Sequence, residues 1–243
     1  MYDTTAFNKM LSDLDISLKD DQTKQFLHFY DMLMEKNKVM NLTAITEFEE
    51  VVSKHFIDSL SLKKVFDTDK ALSVIDMGTG AGFPGIPLKI AFPHWNIVLL
   101  DSLNKRVNFL NEVIDALGLK GIKAVHGRAE DYGRQSGYRE SFDLCVSRAV
   151  AKLATLSEYC LPYVKINGCF ISYKAGSVQE EIAEADGAVR ILGGAVENTC
   201  SFFLPDSDIK RSLIVIRKQS HTLGLYPRSA GKPSKEPLPV KSR

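Results

Sequence analysis

A glycine-rich segment at residues 78–85 has the residue types and spacing in this sequence that best fit ligand chemistry. In the stretch VIDMGTGAGFPGIP, a short apolar run ends in the acid Asp76, and glycines alternate with small residues after it. Glycine has no Cβ atom, so the backbone can pass close beneath a ligand and turn sharply. The segment predicts a nucleoside or nucleotide site at the end of a strand.

The same segment fits two kinds of ligand, and its prolines favour one of them. Gly80, Gly82 and Gly85 satisfy the GxGxxG fingerprint of dinucleotide sites. In those sites, backbone N–H groups at the start of the following helix hold the pyrophosphate. Pro84 and Pro87 remove two N–H groups in or near that first turn. The pattern therefore favours S-adenosylmethionine, which has no phosphate, over a dinucleotide.

Polar side chains at the ends of the next two strand-like runs could hold a nucleoside. Asp101 closes NIVLLD, where its carboxylate would accept hydrogen bonds from two ribose hydroxyls. Its alternative role is to cap the helix that begins near Asn104. The sequence HGRAED places Arg128, Ala129 and Glu130 where the sheet edge would meet an adenine ring. For Glu130, an exposed acid at a helix start is the alternative.

Two cationic side chains follow the later strand-like runs and would flank the ligand cleft. Arg148 lies in the sequence SRA after FDLCV, and Lys174 lies near the end of GCFISYKAG. An ordinary solvated lysine is the alternative for Lys174. The five histidines form no catalytic triad or metal spacing, and His55 is the one for which we weigh a role beyond structure.

Two kinds of base methylation require residues that these strand ends lack. Enzymes that methylate exocyclic amino nitrogens commonly have an Asn/Asp-Pro-Pro-aromatic sequence where this chain has SRA. Cytosine C5 methylation needs a cysteine nucleophile at a strand end. The four cysteines have no CxxC spacing and sit in apolar segments. We expect structural thiols and no metal site.

The elements around these residues predict an α/β fold. From Leu72 onward, strand-like runs alternate with amphipathic helices, which implies a parallel sheet covered on both faces. The first 66 residues have helical periodicity. Near the end, AVENTCSFFLP and KRSLIVIRK flank the polar turn DSD, which is typical of an antiparallel hairpin. We therefore expect a Rossmann-like, mostly parallel sheet with an antiparallel C-terminal strand, preceded by N-terminal helices.

Composition limits the class of protein. The chain has 243 residues, of which 44% are hydrophobic and 25% charged, as in an ordinary globular protein. No apolar run approaches the roughly 20 residues of a membrane span, and the start lacks the apolar stretch of a signal peptide. We expect a cytoplasmic protein that does not contact membranes.

Positive charge is concentrated at the C-terminal end. From Ile209 onward the chain has nine basic residues and one acid, a net charge of +8. The formal net charge of the whole chain is +1, so the preceding residues carry −7. This asymmetry favours contact with a polyanion such as nucleic acid, and a tail that only aids solubility is the alternative.

Taken together, these residues resemble the class I methyltransferases. More closely, the chain resembles the glucose-inhibited division protein B family, the small-subunit ribosomal RNA methyltransferases G. Seven segments carry the resemblance in order: NLTAI, KHFIDSL, IDMGTGAGFPGIPLKI, LLDSLNKRVNFL, HGRAED, FDLCVSRAVAKL and YPRSAGKPSKEPL.

The resemblance implies methyl transfer from S-adenosylmethionine to N7 of one guanine in 16S ribosomal RNA. It also implies cofactor contacts at Gly78, Phe83, Ala129, Glu130 and Arg148, to which the residue argument adds Gly80 and Asp101. Guanine N7 already carries a lone pair, so catalysis needs positioning rather than a general base. The positioning candidates are Arg148, Lys174 and His55.

We divide the chain into a helical extension at 1–66, a methyltransferase domain at 67–218 and a basic, proline-rich tail at 219–243. The tail is expected to form no element of its own and to contact RNA through Tyr226, Arg228, Lys232 and Lys235. The expected partner is 16S ribosomal RNA or the small ribosomal subunit, and we expect a monomer. A methyltransferase for another RNA or a small molecule, or a nucleotide-binding regulatory module, is the alternative.

Overall fold

A sheet of seven strands forms the centre of the protein, whose computed structural model describes residues 2–148 and 151–238. The strand order is β3-β2-β1-β4-β5-β7-β6. Strands β1 to β5 are parallel to their neighbours among themselves, and β7 is antiparallel to both β5 and β6. The α/β prediction with a C-terminal hairpin is therefore confirmed. The strands are β1 Ser73–Met77, β2 Asn96–Asp101, β3 Ile122–His126, β4 Phe142–Arg148, β5 Val164–Ala175, β6 Gly194–Phe203 and β7 Lys210–Lys218.

Helices precede the sheet and connect its strands. The extension contains α1 Thr5–Ser12, α2 Asp20–Met40, α3 Phe48–Val51, a π-helical segment Val52–Ile57, α4 Asp58–Leu60 and the 3-10 turn Ser61–Lys64. The later helices are α5 Gly85–Ala91, α6 Asn104–Ala116, α7 Ala129–Tyr132, α8 Leu153–Cys160, the 3-10 turn Leu161–Tyr163, α9 Gln179–Ile191 and α10 Lys232–Lys235. None of the helices in the described residues is long and apolar enough to cross a membrane.

The parallel strands all end at one edge of the sheet, and that edge carries the predicted site. Val74–Met77 and Ile97–Asp101 are buried, as expected for strands covered on both faces. Chain order reverses between β1 and β4, which pair side by side. In open α/β sheets, ligands bind outside the carboxyl ends of the strands at such a reversal.

The N-terminal helices pack directly on the sheet and on the glycine-rich segment. Side chains from α1 and α2 share one apolar core with β1, β2 and β4. The Phe29 ring of α2 lies 5.3 Å from the Phe83 ring, and Phe56 lies 5.0 Å from Phe26. The extension at 1–66 therefore helps to fix the position of Phe83.

The opposite face of the sheet is covered by α8 and α9. Leu156, Ala188 and Ile214 lie in this second apolar core. Cys145, Cys160 and Cys169 are buried and Cys200 is half-buried, and none of these thiols is in a disulfide. The described residues contain no group of three or more His, Cys, Asp or Glu side chains able to hold a metal ion.

The C-terminal segment differs from the expectation that it forms no element of its own. Its described part, residues 219–238, folds back onto the body, forms α10 and buries Pro233 and Leu238. The expectation that this region has no element of its own was wrong. Side chains of the body hold the segment in place, and its described residues have no ladder of backbone hydrogen bonds of their own. Arg139, for example, donates to the carbonyl oxygens of Thr222 (2.6 Å) and Tyr226 (2.8 Å). Lys241 and Arg243 lie outside the described residues.

Candidate active site

Three neighbouring cavities follow the carboxyl edge of the sheet. The first, the strand-edge cavity, has a volume of about 260 Å³ and lies at the ends of β1 and β2 and the start of α7. The second, the glycine-loop cavity, has about 500 Å³ and shares Gly78, Asp101 and Ser102 with the first. The third, the arginine cavity, has about 240 Å³ and shares His55 and Arg148 with the second. The three cavities therefore adjoin one another in this order.

The glycine segment lies beneath the first two cavities because its backbone adopts left-handed conformations. Gly78 has φ of +69° and Gly80 has φ of +62°. A Cβ atom added at Gly80 would meet no atom within 4 Å, so that side of the residue is open space. The loop is fastened from below by Asp76, whose Oδ2 accepts hydrogen bonds from Thr79 Oγ1 at 2.6 Å and Gly85 N at 2.8 Å. Burial raises the pKa of Asp76 to about 7.

Asp101 joins the glycine segment to the start of α6. Its Oδ2 accepts from Gly80 N and its Oδ1 from Leu103 N, both at 2.9 Å. Leu103 is the N-cap residue of α6, so Asp101 supports the helix start without being its cap. Asp101 also lines the strand-edge and glycine-loop cavities. Because a carboxylate oxygen accepts more than one hydrogen bond, Asp101 retains capacity for a ligand.

Ala129 and Glu130 form the far wall of the strand-edge cavity. Glu130 is buried, which differs from the exposed helix-start acid weighed as an alternative. Its Oε1 accepts a hydrogen bond from Gly231 N at 2.8 Å. The cavity thus has a carboxylate on each side, from Asp101 and Glu130.

Arg148 separates the glycine-loop cavity from the arginine cavity. Its Nη1 donates to Asp58 Oδ2 at 3.0 Å, and the guanidinium carbon lies 5.0 Å from the centre of the Phe83 ring. Asp58 is almost fully buried and its Oδ1 also accepts from Arg211 Nε at 3.1 Å. The helical extension therefore positions Arg148 through a buried carboxylate and an aromatic face.

His55 is a neutral neighbour of Arg148. Burial, followed by the positive charge of Arg148, lowers the pKa of His55 to about 3. His55 Nδ1 lies 3.2 Å from Arg148 Nη2 and 3.1 Å from the carbonyl oxygen of Lys54. On the other side of the ring, Nε2 and Thr43 Oγ1 are 2.9 Å apart. The imidazole also stacks on Phe83, with the ring centres 4.6 Å apart.

Lys174 lines the arginine cavity together with Tyr173 and Arg211. Its Nζ donates to Glu181 Oε1 and to the carbonyl oxygen of Ala151, both at 2.7 Å. The side chain is mostly buried, so Lys174 is not the ordinary solvated lysine weighed as an alternative.

Comparison with known proteins decides the family. The model of the family described as rRNA small subunit methyltransferase G matches residues 22–211. The chain belongs to this family. A relative named ribosomal RNA small subunit methyltransferase G, from Lachnoclostridium phytofermentans, is 56% identical over 238 residues that cover 98% of each chain. Another of the same name, from Acetivibrio thermocellus, is 54% identical and covers 92% of this chain and 91% of its own.

Solved structures share the fold at low sequence identity. The TYW2 protein of M. jannaschii, in complex with AdoMet, superposes with a TM-score of 0.54 at 12% identity, covering 72% of this chain and 79% of its own. TrmN from Thermus thermophilus gives a TM-score of 0.52 at 16% identity, covering 69% of this chain and 53% of its own. The sheet is that of the class I methyltransferases, as predicted.

The cofactor contacts that the resemblance implies lie together in the structure. Gly78, Ala129 and Glu130 line the strand-edge cavity, and Phe83 and Arg148 line the glycine-loop cavity. Several lining or positioning residues were not anticipated from the sequence: Thr43, Asp58, Tyr159, Arg211, Gly231 and Ser234. Asp58 lies within the KHFIDSL segment and Gly231 within YPRSAGKPSKEPL, so the resemblance marked both segments without giving their residues a role.

The predicted RNA-contact residues do not share one environment. Lys232 and Lys235 are exposed, and Tyr226 is half-buried. Arg228 is buried, and its guanidinium contacts Glu158 Oε2 at 2.6 Å. The prediction that Arg228 contacts RNA is therefore corrected, because its charge is already paired with a buried carboxylate inside the protein.

The basic C-terminal end is also less available than its sequence indicates. Of its seven cations within the described residues, four have carboxylate partners. The pairs are Arg211 with Asp58, Arg217 with Glu197, Lys218 with Glu140 and Arg228 with Glu158. The net charge of this region is therefore partly matched by acids of the body.

Proposed function

We propose that this protein transfers the methyl group of S-adenosylmethionine to N7 of one guanine in 16S ribosomal RNA. The single observation that carries the proposal is the row of three adjoining cavities in a member of the rRNA small subunit methyltransferase G family. The cavities offer a place for a nucleoside, for the methyl-bearing side chain and for an acceptor base. Action on ribosomal RNA supports a cytoplasmic location.

The acids of the strand-edge cavity fit an adenosine and not a phosphate. Asp101 and Glu130 only accept hydrogen bonds when ionised, and ribose hydroxyls and an adenine amino group donate them. Two carboxylates would repel a pyrophosphate, and Pro84 and Pro87 supply no N–H group to bind one. This chemistry supports S-adenosylmethionine over a dinucleotide.

The glycine-loop cavity would take the rest of the cofactor. Gly80 leaves open space along its floor, Phe83 also lines it, and His55 and Arg148 form its wall toward the arginine cavity. When bound, S-adenosylmethionine supplies an electrophilic methyl group on a sulfonium. The protein's task is to hold an acceptor atom in line with that methyl group.

We place the acceptor guanine in the arginine cavity because this cavity adjoins the glycine loop on the side away from the strand-edge cavity. Arg148, Lys174 and Arg211 present donors there, and guanine offers O6 as an acceptor beside N7. His55 is neutral, and its Nδ1 already lies within hydrogen-bond distance of Arg148 Nη2 and of the Lys54 carbonyl oxygen. The reaction needs no proton acceptor, since N7 of the neutral base carries its own lone pair.

Exposed cations near the site are the proposed RNA contacts. Lys232 and Lys235 are available for phosphate contact, and Tyr226 offers part of an aromatic ring. The monomeric state remains a prediction from the sequence.

The proposal is tested by incubating the purified protein with methyl-labelled S-adenosylmethionine and small ribosomal subunits, protein-free 16S rRNA, 23S rRNA or transfer RNA. We expect label in 16S rRNA, free or within the subunit, and none in the other two. Label in transfer RNA alone would support a methyltransferase for another RNA, and no label in any RNA would support a small-molecule enzyme or a regulatory module.

A separate experiment tests the placement of the guanine in the arginine cavity. We expect Lys174→Met to lower kcat on 16S rRNA while leaving the affinity for S-adenosylhomocysteine unchanged. The control is Lys165→Met, because Lys165 lies near the start of the same strand, half-exposed and paired with Asp143 at 2.9 Å. Equal kcat values for the two variants would contradict this placement of the guanine.

A further inference from the structure

The C-terminal segment forms part of the wall of the strand-edge cavity. Gly231 and Ser234 line this cavity together with Asp101 and Glu130. The Gly231 amide donates to Glu130 Oε1 at 2.8 Å, so the segment is fastened to a residue that we assign to the cofactor. We call residues 219–238 the strap. The strap therefore supplies two of the residues that line the strand-edge cavity.

One buried ion pair anchors the middle of the strap. Glu158 of α8 is fully buried and accepts from Arg228 Nε at 2.9 Å, from Arg228 Nη2 at 2.6 Å and from the Arg228 amide at 2.8 Å. Arg228 Nη2 also donates to the carbonyl oxygen of Glu236 at 2.8 Å. Arg228 therefore joins the strap to the body and closes the strap on itself.

Further side-chain contacts hold the strap, among them hydrogen bonds from Arg139 to the carbonyl oxygens of Thr222 and Tyr226 and from Arg134 to that of Pro227. Glu140 Oε1 accepts from the Thr222 amide at 2.8 Å, and Thr155 Oγ1 donates to the carbonyl oxygen of Pro233 at 3.2 Å. Between these points Leu223 and Leu225 are more than half exposed. The strap is therefore held by side-chain contacts instead of a ladder of backbone hydrogen bonds, and its exposed stretch opens at a lower free-energy cost than the strands.

The two sides of α10 have different surroundings. Ser234 lines the strand-edge cavity and Pro233 is buried, while Lys232 and Lys235 are exposed to solvent. A phosphate bound by the two lysines would therefore act on the same four-residue helix that faces the cavity.

We infer that the strap is a wall of the cofactor site that couples cofactor binding to RNA binding. The inference rests on the proposed function. A bound nucleoside holds the strap against Glu130, which fixes Lys232 and Lys235 in place for RNA. By linkage, RNA bound to those lysines increases cofactor affinity by the same factor.

The anchor is tested in the full chain by the double variant Arg228→Ala with Glu158→Ala. Removing both partners leaves no unpaired buried charge, so the body should remain folded. We expect calorimetry to show S-adenosylhomocysteine affinity weakened by about tenfold or more, because the wall is no longer preorganised. The matched control is Arg217→Ala with Glu197→Ala, a surface Arg–Glu pair at 2.7 Å on the C-terminal hairpin, which should leave the affinity unchanged.

Hydrogen exchange provides a readout that does not depend on the variants. In the wild-type protein, S-adenosylhomocysteine should slow amide exchange across residues 223–238, and most clearly at Gly231. The double variant should exchange quickly there with or without the ligand, while the amides of β4 remain protected.

The coupling is tested with protein-free 16S rRNA. Saturating S-adenosylhomocysteine should raise RNA affinity by about fivefold or more in the wild type and have no effect in Lys232→Gln with Lys235→Gln. Wild-type protein that binds no S-adenosylhomocysteine would overturn the proposed function and the inference with it. Wild-type binding together with unchanged affinity in the folded Arg228 and Glu158 double variant would overturn the inference alone, as would RNA affinity indifferent to the ligand.

Discussion

Replacing Asp101 with alanine removes the acceptor of two backbone hydrogen bonds, from Gly80 N and Leu103 N, each 2.9 Å long. Asp101 is only 4% exposed, so water cannot replace its carboxylate without entering the loop. Hydrogen bonds to a charged group contribute about 1.5–3 kcal/mol each, but the freed Gly80 amide borders a cavity and can be hydrated. We expect Asp101→Ala to lower the free energy of unfolding by about 1–3 kcal/mol.

The same substitution should weaken cofactor binding. If the carboxylate accepts the ribose hydroxyls, its loss costs about 1.5–3 kcal/mol of binding free energy, or roughly ten- to 150-fold in Kd. Calorimetry with S-adenosylhomocysteine measures the affinity, and urea unfolding without ligand measures the stability.

Asp115→Ala is the control, because Asp115 is an exposed acid on the same helix, α6. It should change stability by no more than about 0.5 kcal/mol and affinity not at all. An Asp101→Ala protein that loses stability but keeps its affinity would refute the ribose contact and leave Asp101 as a support of the loop and of α6 alone.

Three further substitutions follow from the site. Gly80→Val should abolish S-adenosylhomocysteine binding in calorimetry while far-UV circular dichroism stays native, because the side chain enters the cavity and φ of +62° costs a β-branched residue about 1–2 kcal/mol. His55 has a folded pKa of about 3 against 6.5 ordinarily, so the unfolded state binds the proton first and stability falls as pH drops from 6.5 toward 3. Urea unfolding at pH 7 and at pH 5 should show that the His55→Gln variant loses less unfolding free energy between the two pH values than the wild type does. The difference should be up to about 1.4 kcal/mol per pH unit. Asp58→Asn should lower the free energy of unfolding by about 3–5 kcal/mol, because Arg148 and Arg211 lose their shared buried charge. The same substitution should lower kcat by a larger factor than it lowers cofactor affinity.

Local sequence patterns predicted the sheet because they are set by local physics. Within NIVLLD, the four residues before the final acid are all apolar, as in a strand covered on both faces, and the run forms β2 at Asn96–Asp101. Since parallel strands end at one edge, the residues after them had to meet there. The positions of Gly80, Asp101, Glu130 and Arg148 beside the cavities follow from that topology.

The pairings that hold the site were beyond the sequence because they join distant residues. Asp58 and Arg211 are 153 positions apart, and nothing in either neighbourhood marks the other. The strap was misjudged for the same reason. Its prolines and charges resemble a free tail, while the carboxylate that buries Arg228 lies 70 positions earlier, in α8. Net charge alone could not reveal that acids of the body match the cations.

The position of the transferred methyl group tests whether the protein methylates N7 of one guanine. Small ribosomal subunits whose 16S rRNA lacks the modification are incubated with the protein and methyl-labelled S-adenosylmethionine, and the rRNA is digested to nucleosides and separated. We expect the label to elute as 7-methylguanosine, at one equivalent per 16S rRNA, and Asp101→Ala to reduce it while Asp115→Ala does not. Label in a nucleoside methylated on an exocyclic amine or on ribose would contradict N7 methylation, and label spread over many guanines would contradict a single target guanine.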